Sequence, residues 1–531
     1  MDAKFVDVDA KKIDAIFSSL NQNRYPGAAV GIAHWGKPLY RQGFGLANME
    51  QDVVLAPRTR MRVFSISKHF AGLCYLLLCE DGKAKLDEPI GTYLPELAAS
   101  ARAVTPRQVM GHLSGLRDIF DMSWQFSGTG WNVPSTHLLA LYREIREVNT
   151  NPGDSWIYNN GGWLMLSAAI ERISGASLEN FLRDRVFIPI GMNDSLLRRF
   201  DTDFVPNSAS LHMTDSSGRY EKSYLGGALA GEGGIVSTVD DMLHWLNHMR
   251  RPFVGSADTW SLITTPQKLS NGTSTEYGFG LHIQKYRGIE IHFHSGGGMG
   301  GSSHMVRVPE AGLDVIILVN REDVSATLLA EEILDACLPG LEPLPDEAGH
   351  HKDISRGIFC SSTTGRTIEL VAKEEQQIIS IDGMDMPAKL DDAGFLCPSG
   401  VFRNLKQSIR VVGDYRSPDS VLLTDFGEAD EFTRRPTPTQ LIFPPEMTGR
   451  YRRSGPRVEA TIYKSELGLR LRTTADFGSA DYQLECLSSG IWRARLPGVF
   501  WRGGILLFSS DYSSFRFSTY RTRALQFERV T

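Results

Sequence analysis

Three short polar motifs stand far apart in this chain, and they constrain its fold more than any other feature. They are Ser-Ile-Ser-Lys at Ser65–Lys68, Tyr-Asn-Asn at Tyr158–Asn160 and His-Ser-Gly at His294–Gly296. They provide a hydroxyl nucleophile with a nearby amine, a phenol beside an amide, and an imidazole next to flexible backbone. Such groups compose a serine acyl-transfer site without a Ser-His-Asp triad. We therefore predict that the fold brings the three segments into one cleft.

Ser65 and Lys68 have the spacing of neighbours on a helix. If a helix begins at Ser65, both side chains lie on one face of its first turn. A helix N-terminus also offers free N–H groups and positive potential to a developing oxyanion. The stop signal is Glu80-Asp81-Gly82, and the apolar residues before it recur with a helical period: Ile66, Phe70, Leu73, Leu76 and Leu77. Ser65 is the predicted nucleophile and Lys68 its catalytic partner.

Two groups can serve as the base for Ser65, and the sequence leaves both open. A Tyr158 phenolate requires its pKa to fall by about 3 units from about 10, which is roughly 4 kcal/mol. A Lys68 cation at about 4 Å supplies about that much in an effective dielectric near 20. Alternatively, a desolvated and neutral Lys68 is itself the base. Asn160 is expected to position either the substrate amide or Lys68.

The order of these motifs resembles that of the penicillin-recognising serine enzymes, which include serine β-lactamases, D-Ala-D-Ala carboxypeptidases, related esterases and D-aminopeptidases. Two further segments extend the resemblance over about residues 25 to 335. One is Thr-Pro-Arg-Gln-Val-Met-Gly-His-Leu-Ser-Gly-Leu at 105–116, and the other is Gly-Gly-Ile-Val-Ser-Thr-Val-Asp-Asp-Met at 233–242. Both are expected to be structural, with His112 as a wall residue and Thr238 as a helix N-cap. The resemblance implies a catalytic Tyr158 and an oxyanion hole formed by the N–H groups of Ser65 and Gly297.

The third motif departs from the family pattern. Where β-lactamases and many carboxypeptidases have Lys-Thr-Gly, this chain has His294-Ser295-Gly296 followed by further glycines. A lysine stays cationic at pH 7 and attracts a substrate carboxylate, whereas a histidine is mostly neutral near its reference pKa of about 6.5. The change favours an esterase, amidase or aminopeptidase. We expect His294 to be catalytic, and Gly296 and Gly297 to let the backbone approach the substrate.

The element pattern predicts an α+β catalytic domain. Strands near both ends of residues 1–337 enclose a long helical middle, which indicates an antiparallel sheet flanked by helices. The resemblance implies the same sheet with a separate helical lobe, as in β-lactamases. Residues 338–350 and 434–446 are Pro-containing linkers. Segments 351–433 and 447–531 contain short alternating strands, which predict two small antiparallel β-barrels or sandwiches.

The tail of the chain resembles that of the bacterial D-aminopeptidases within this family. In those enzymes a loop of the last barrel enters the cleft, and the segment at 474–483 is the candidate here. An aminopeptidase binds an N-terminal ammonium, which a carboxylate recognises well. Asp481 is the predicted substrate-binding carboxylate, with Asp476 as the second choice.

Composition restricts the partners. The 531 residues carry a net charge of −6, with 42% hydrophobic and 22% charged residues, so no basic surface for nucleic acid is expected. No apolar run reaches 18 residues, and the first residues do not form a secretory signal. The cysteines are scattered, so neither metal binding nor a disulfide framework is expected and a reducing cytoplasm fits: Cys74, Cys79, Cys337, Cys360, Cys397 and Cys486.

These observations lead to one main hypothesis. The chain is expected to be a cytoplasmic serine hydrolase that releases N-terminal D-amino acids of the D-Ala type through an acyl-enzyme. It needs no metal or cofactor, its substrate is a small peptide or amide, and β-lactams are candidate inhibitors. A homodimer is left open as the assembly. The alternatives are an esterase or D-Ala-D-Ala carboxypeptidase with the same site, and a non-catalytic penicillin-binding scaffold.

Overall fold

The computed structural model describes residues 6–22, 24–128, 133–215, 217–343, 354–373, 376–403, 405–437, 443–496 and 503–530. A sheet flanked by helices is followed by two closed antiparallel barrels of eight strands each. This confirms the predicted fold class.

The first part of the chain contains most of the helices. The α-helices are α1 (Ala10–Ile16), α2 (Ser67–Glu80), α3 (Ala99–Ala103), α4 (Pro106–Met110), α5 (Ile119–Ser127), α6 (Ser135–Glu144), α7 (Asn160–Ser174), α8 (Leu178–Leu182), α9 (Ile188–Ile190), α10 (Val239–Arg250), α11 (Ala257–Thr264) and α12 (Ala326–Cys337). Short 3-10 turns lie at Ser18–Leu20, Phe64–Ile66, Ile90–Thr92, Gly400–Phe402 and Pro445–Met447, and a π turn at Arg183–Phe187.

The strands of the same part are β1 (Ala28–His34), β2 (Lys37–Phe44), β3 (Leu46–Asn48), β4 (Val53–Val54), β5 (Met61–Arg62), β6 (Leu196–Leu197), β7 (Leu211–Thr214), β8 (Tyr220–Ser223), β9 (Ile235–Ser237), β10 (His282–Tyr286), β11 (Ile289–Gly298), β12 (Gly301–Val308) and β13 (Leu313–Val319). Six of them form the main sheet in the order β10-β11-β12-β13-β1-β2. Pairing of β1 with β13 joins the two ends of this part, as the sequence predicts.

Helices cover both faces of the main sheet. Every residue of β13 is buried, because α12 packs on one face of the sheet and α10 on the other. The apolar residues of α1 and α12 join one core with the sheet. On the other side, α2 is buried over Ser67–Leu78 and packs against α7. A strand with two covered faces needs a largely apolar sequence. β13 has one, and its single charged residue, Asp314, pairs with Arg250 of α10.

One strand begins later than predicted. The sequence predicts a strand over 278–284, but β10 begins at His282. Gly280 adopts a φ of +82°, and an added Cβ there would lie 2.5 Å from the backbone nitrogen of His69. A Cβ on Gly278 would lie 2.1 Å from the carbonyl oxygen of Ile263. These glycines therefore form a close backbone crossing against α2 and α11 rather than a strand.

The two tail segments are up-and-down barrels. The first contains β14 (Gly357–Ser361), β15 (Thr367–Lys373), β16 (Gln376–Ile381), β17 (Met384–Leu390), β18 (Phe395–Pro398), β19 (Gln407–Val412), β20 (Ser420–Asp425) and β21 (Glu428–Arg435). The second contains β22 (Gly449–Ser454), β23 (Arg457–Ser465), β24 (Gly468–Ala475), β25 (Gly478–Ser488), β26 (Ile491–Arg495), β27 (Gly503–Phe508), β28 (Ser514–Ser518) and β29 (Leu525–Arg529).

Each barrel closes by pairing its first strand with its last, β14 with β21 and β22 with β29. Closure removes the exposed strand edges that invite aggregation. The predicted linkers fall partly outside the described residues, at 344–350 and 438–442. The domain boundaries proposed from the sequence therefore remain proposals.

The second barrel shares its hydrophobic core with the catalytic helices. A single cluster of buried apolar residues runs from α2 and α7 through α5 into the barrel interior, whereas the first barrel has a core of its own. The end of α5 contacts the barrel directly. The Phe126 ring meets that of Phe527 at 6.3 Å, and the Gln125 carbonyl accepts hydrogen bonds from Thr473 Oγ1 at 2.8 Å and from the Tyr482 hydroxyl at 3.0 Å.

This shared core predicts that the catalytic part and the second barrel unfold together. Phe126→Ala should destabilise both by about 3–5 kcal/mol, because it removes a buried ring from their common core. Scanning calorimetry and the loss of activity on heating measure the effect.

Phe359→Ala is the matched control, because Phe359 is fully buried in the separate core of the first barrel. It should lower a different transition and leave the temperature of activity loss nearly unchanged. If the two variants lower the same transition equally, the cores are not separate.

Candidate active site

A cleft of about 1720 Å³ lies where the catalytic part meets both barrels. All three sequence motifs reach it. Residues of both barrels complete its lining: Gly383, Met384, Phe402 and Leu405 from the first, and Gln483, Arg493, Ala494, Arg495, Leu496, Gly503, Tyr520 and Arg521 from the second. The predicted convergence of distant segments is therefore realised, in a cleft with walls from three parts of the chain.

Ser65 lies in the 3-10 turn that precedes α2, so it does not itself open the α-helix as predicted. The residue before it, Phe64, has a φ of 48°. Non-glycine residues in this region are strained and persist only where the surroundings hold them. Two hydrogen bonds hold the preceding residue, Val63: its N–H donates to the Ile235 carbonyl at 3.0 Å, and its carbonyl accepts from Ser303 Oγ at 2.8 Å. These contacts fix the turn that presents Ser65.

Lys68 is fully buried and connects the motifs. Its Nζ donates hydrogen bonds to Ser65 Oγ at 3.1 Å, Asn160 Oδ1 at 2.8 Å and the Glu232 carbonyl at 2.8 Å. Three acceptors match the three donors of an ammonium group. Of the two positions expected for Asn160, the structure gives the one beside Lys68.

Burial dominates the electrostatics of Lys68. It lowers the pKa of the amine to about 7, because the charged form loses its hydration. The carboxyl of Glu232 and that of Asp118 act in the opposite direction, while the Arg521 cation lowers the pKa further. Burial also raises the pKa of Glu232. A substantial fraction of Lys68 is therefore neutral near pH 7 and able to accept a proton.

Tyr158 is a neutral phenol in this environment. Burial raises its pKa above the ordinary value, and this outweighs the opposing effects of a hydrogen bond with Ser65 and of the Arg521 cation. Lys68 Nζ lies 4.7 Å from the centre of the Tyr158 ring. Of the two bases that the sequence leaves open, the lowered pKa of Lys68 and the raised pKa of Tyr158 favour Lys68, with Tyr158 as a carrier of protons.

His112 holds the loop that carries Tyr158. Its Nδ1 accepts a hydrogen bond from the Asn159 N–H at 3.0 Å, and its ring centre lies 4.3 Å from that of Tyr158. Asn159 then caps α7, because its side chain accepts from the Gly162 N–H at 2.9 Å. Burial lowers the pKa of His112 well below its usual value, so the ring is neutral. His112 thus has the structural position expected of it, as does Thr238 at the N-cap of α10.

His294 lines the cleft, but both of its ring nitrogens are engaged. The Tyr277 hydroxyl lies 3.0 Å from Nε2, and the carbonyl of Ser295 lies 2.6 Å from Nδ1. Burial raises the pKa of Tyr277 and lowers that of His294, so the phenol donates to Nε2 and the Nδ1–H donates to the carbonyl. Because both nitrogens already have partners, His294 would have to give up one of these contacts to take a proton, and its catalytic role stays a prediction.

The two predicted glycines differ in their surroundings. An added Cβ on Gly296 would lie 2.3 Å from Ser303 Oγ, 2.5 Å from the Val63 carbonyl oxygen and 2.7 Å from Phe64 Cβ. At Gly297 the same Cβ would meet nothing within 4 Å. Gly296 therefore permits close packing of β11 against the turn of Ser65. Gly297 faces open space in the cleft, which suits the predicted oxyanion hole.

The structure places Asp481 in an ion-pair cluster on its own barrel, so its substrate-binding role stays a prediction without support from the geometry. Its carboxylate accepts hydrogen bonds from Tyr463 at 2.7 Å and from Arg470 and Arg472 at 2.8 Å each. Two guanidinium groups already neutralise it, and it is not part of the cleft lining, to which β25 contributes Gln483 instead. The turn at 476–477 contacts helix α6, where the rings of Phe477 and His137 lie 3.8 Å apart. A different loop of the second barrel, which contains Tyr520 and Arg521, reaches the cleft.

Sequence reasoning missed three charged residues near Lys68. Glu232 directly precedes the segment at 233–242, which was expected to be structural. Asp118 is the N-cap of α5, and its fully buried carboxylate also accepts hydrogen bonds from the Asn160 and Gly161 N–H groups at 3.2 and 3.0 Å. An aspartate directly before an apolar helical segment is a known N-cap signal, and it was available for Asp118. No local signal marked Arg521, which comes from the far end of the chain.

Comparisons with known proteins agree with this geometry. The family model described as Beta-lactamase matches residues 13–338. Penicillin-binding protein 4* of Bacillus subtilis is 29% identical over 337 residues, which cover 59% of this chain and 72% of that protein. The D-aminopeptidase of Brucella ovis is 26% identical over 352 residues, 64% of each chain. The match thus spans just under two thirds of the length of that D-aminopeptidase.

Solved structures share the fold at low identity. A penicillin-binding protein homologue from Pyrococcus abyssi, described as octameric, is 21% identical with a TM-score of 0.57, over 80% of this chain and all of that one. D-amino acid amidase from Ochrobactrum anthropi is also 21% identical, with a TM-score of 0.53 over 61% of this chain and 98% of its own. In the described ranges, no helix is long and apolar enough to cross a membrane.

The contact at Gly296 predicts a specific structural sensitivity. Gly296→Ala should push β11 away from the turn of Ser65 and reduce kcat by about tenfold or more, because small misplacements of catalytic groups are costly. It should also lower Tm, because the new methyl group overpacks the site. Activity assays and thermal melting measure both effects.

Gly297→Ala is the matched control for stability, since its methyl group enters open space. Its Tm should stay within a few degrees of the wild type. Equal losses of Tm in the two variants would contradict the packing assigned to Gly296.

Proposed function

The chain belongs to the beta-lactamase family of serine hydrolases, and we propose that it releases N-terminal D-amino acids from small peptides and amides. The observation that carries this proposal is the hydrogen bond between Lys68 Nζ and Ser65 Oγ inside a buried site. It pairs a nucleophile with an amine whose pKa burial lowers to about 7. A base with such a pKa is half neutral near neutral pH and is suited to proton transfer.

In the proposed reaction, neutral Lys68 takes the proton of Ser65 while Oγ attacks the scissile carbonyl carbon. The N–H groups of Ser65 and Gly297 stabilise the oxyanion. When the tetrahedral intermediate collapses, the carbon–nitrogen bond breaks and Tyr158 donates a proton to the leaving amine. The protonated Lys68 then gives its proton to Tyr158. Water then attacks the acyl carbon and gives a proton to the same base. The bond from the acyl carbon to Ser65 Oγ breaks, the base returns the proton to Oγ, and the free amino acid leaves.

Two features support an amino-acid substrate with a free amine. Relatives of this chain include D-aminopeptidases, at 26% identity. A neutral His294 stands where carboxypeptidases place a cation for the substrate carboxylate, so that attraction is weak here.

The proposal predicts a clear substrate preference. D-alanine p-nitroanilide should be hydrolysed at least about tenfold faster than its L isomer and its N-acetyl derivative. Ser65→Ala should reduce this activity by about a thousandfold or more, because it removes the nucleophile. Release of p-nitroaniline measures all of these rates, and circular dichroism checks that the variant folds.

The same substrates separate the alternatives. Faster hydrolysis of N-acetylated D-Ala-D-Ala would indicate a carboxypeptidase, and faster hydrolysis of p-nitrophenyl acetate an esterase. Labelling of Ser65 by a fluorescent penicillin without turnover of any substrate would indicate a penicillin-binding scaffold. Each of these results would overturn the aminopeptidase proposal.

The buried Lys68 predicts the pH dependence. Because the neutral amine is the active form, kcat/KM should rise with pH through an apparent pKa near 7. Glu232 raises the pKa of Lys68, so Glu232→Gln should move this rise to lower pH by about one unit. A pH profile from 5 to 9 measures the shift. An unchanged or upward shift would contradict the assignment of Lys68 as the base.

A further inference from the structure

A loop of the second barrel, Thr519–Arg523 between β28 and β29, reaches the active site and is anchored on several sides. Its backbone is held by Asn149 of the catalytic part, which donates to the Arg521 carbonyl at 2.7 Å and accepts from the Arg523 N–H at 2.9 Å. Thr519 Oγ1 donates to Asp121 at 2.6 Å. Such anchoring fixes where the side chain of Arg521 begins.

The loop also contacts the first barrel. The Tyr520 hydroxyl accepts a hydrogen bond from Gln407 Nε2 at 2.8 Å. The loop is therefore tied to all three parts of the chain, at the point where they form the cleft. Its conformation depends on the docking of the barrels against the catalytic part.

Arg521 directs its guanidinium to two groups of the site. The guanidinium carbon lies 4.9 Å from the centre of the Tyr158 ring, a distance at which a cation is attracted to the ring face. Nη1 lies 3.9 Å from Oδ2 of Asp118. The Arg521 side chain is 35% exposed and lines the cleft, whereas that of Asp118 is fully buried.

Asp118 transmits this contact to the catalytic lysine. Its carboxylate accepts the backbone N–H groups of Asn160 and Gly161 at the start of α7. The side chain of Asn160 in turn accepts from Lys68. Without Arg521, the carboxylate would remain buried next to Lys68 and Tyr158 with no cation from the second barrel to balance its charge. An uncompensated buried charge of this kind is unfavourable.

We propose that Arg521 is a positioning residue of the active site, which holds Tyr158 and balances Asp118 so that Lys68 can act as the base. The second barrel thereby becomes a part of the catalytic machinery through one side chain. This inference rests on the proposed serine hydrolase chemistry, although it does not depend on the identity of the substrate.

The charges around Lys68 and Tyr158 give the direction of the effect. The charged or titratable groups that act on this pair or contact it are Ser65, His112, Asp118, Glu232, Tyr277, His294 and Arg521. Arg521 lowers the pKa of both Lys68 and Tyr158, whereas Asp118 raises both. Removal of Arg521 leaves Asp118 unopposed, so both pKa values should rise.

The test measures how fast a fluorophosphonate probe modifies Ser65 between pH 5 and 9, which requires no knowledge of the natural substrate. Arg521→Gln should move the rise of this rate to higher pH by about one unit and slow labelling at pH 7 by about tenfold. Arg521→Lys keeps the charge and should restore most of the wild-type profile. Asn149→Ala loosens the loop while it keeps the guanidinium, and it should shift the profile in the same direction by a smaller amount.

Arg495→Gln is the matched control. Arg495 also lines the cleft from the second barrel, but its ion-pair partners are Asp385 and Glu485, so the profile should stay in place. An Arg521→Gln profile that is lowered equally at every pH would overturn the proposal and indicate a structural role only. An unchanged labelling profile, with a loss confined to carboxylate-bearing substrates, would also overturn it and make Arg521 an anion subsite. If the labelling profile shifts as expected but D-alanine p-nitroanilide is not hydrolysed, only the aminopeptidase activity is rejected, and the role of Arg521 stands.

Discussion

The burial of one amine, that of Lys68, is the constraint on which the rest of the site depends. An isolated ammonium in a protein interior is strongly unfavourable, and it persists only with hydrogen-bond partners or by losing its proton. Ser65, Asn160 and the Glu232 carbonyl come from three separate segments and satisfy its three donors. Those acceptors lie on a strained turn, a helix N-terminus and a glycine-rich loop. The fold must therefore hold these three segments at fixed positions relative to one another.

The main sheet helps to fix the relative positions of these segments. β11 ends beside the nucleophile turn, and the absence of a side chain at Gly296 lets the strand approach the turn closely. On the other side, the buried α2 and α7 pack together and carry Lys68 and Asn160 on adjacent surfaces. The second barrel extends this rigid unit, because its interior is continuous with the helical core at Phe126. Its loops therefore meet the cleft at defined positions.

Local patterns predicted much of this architecture. The sequence predicts strands at 28–33 and 39–45 and a helix at 163–173, and β1, β2 and α7 lie within three residues of these bounds. The three motifs meet as their chemistry required. What these patterns did not predict depended on tertiary contacts. The strand expected at 278–284 is shortened by a backbone crossing at Gly280. The carboxylate of Asp481 pairs with two neighbouring arginines of its own barrel, Arg470 and Arg472. No local sequence pattern reveals that Tyr277 contacts His294. The same holds for Arg521, which reaches the site only through the docking of the second barrel.

The acid–base behaviour of Lys68 arises from charges on three different parts of the fold. Burial by the catalytic helices pulls the pKa of the amine down, Glu232 and Asp118 push it up, and Arg521 opposes them from the second barrel. Two carboxyls alone would favour the protonated amine, which cannot accept a proton from Ser65. A cation that arrives only when the barrel docks therefore offsets them at the one place where it can contact both Tyr158 and Asp118. In this arrangement the tail of the chain affects catalysis by electrostatics, without supplying a nucleophile or a base.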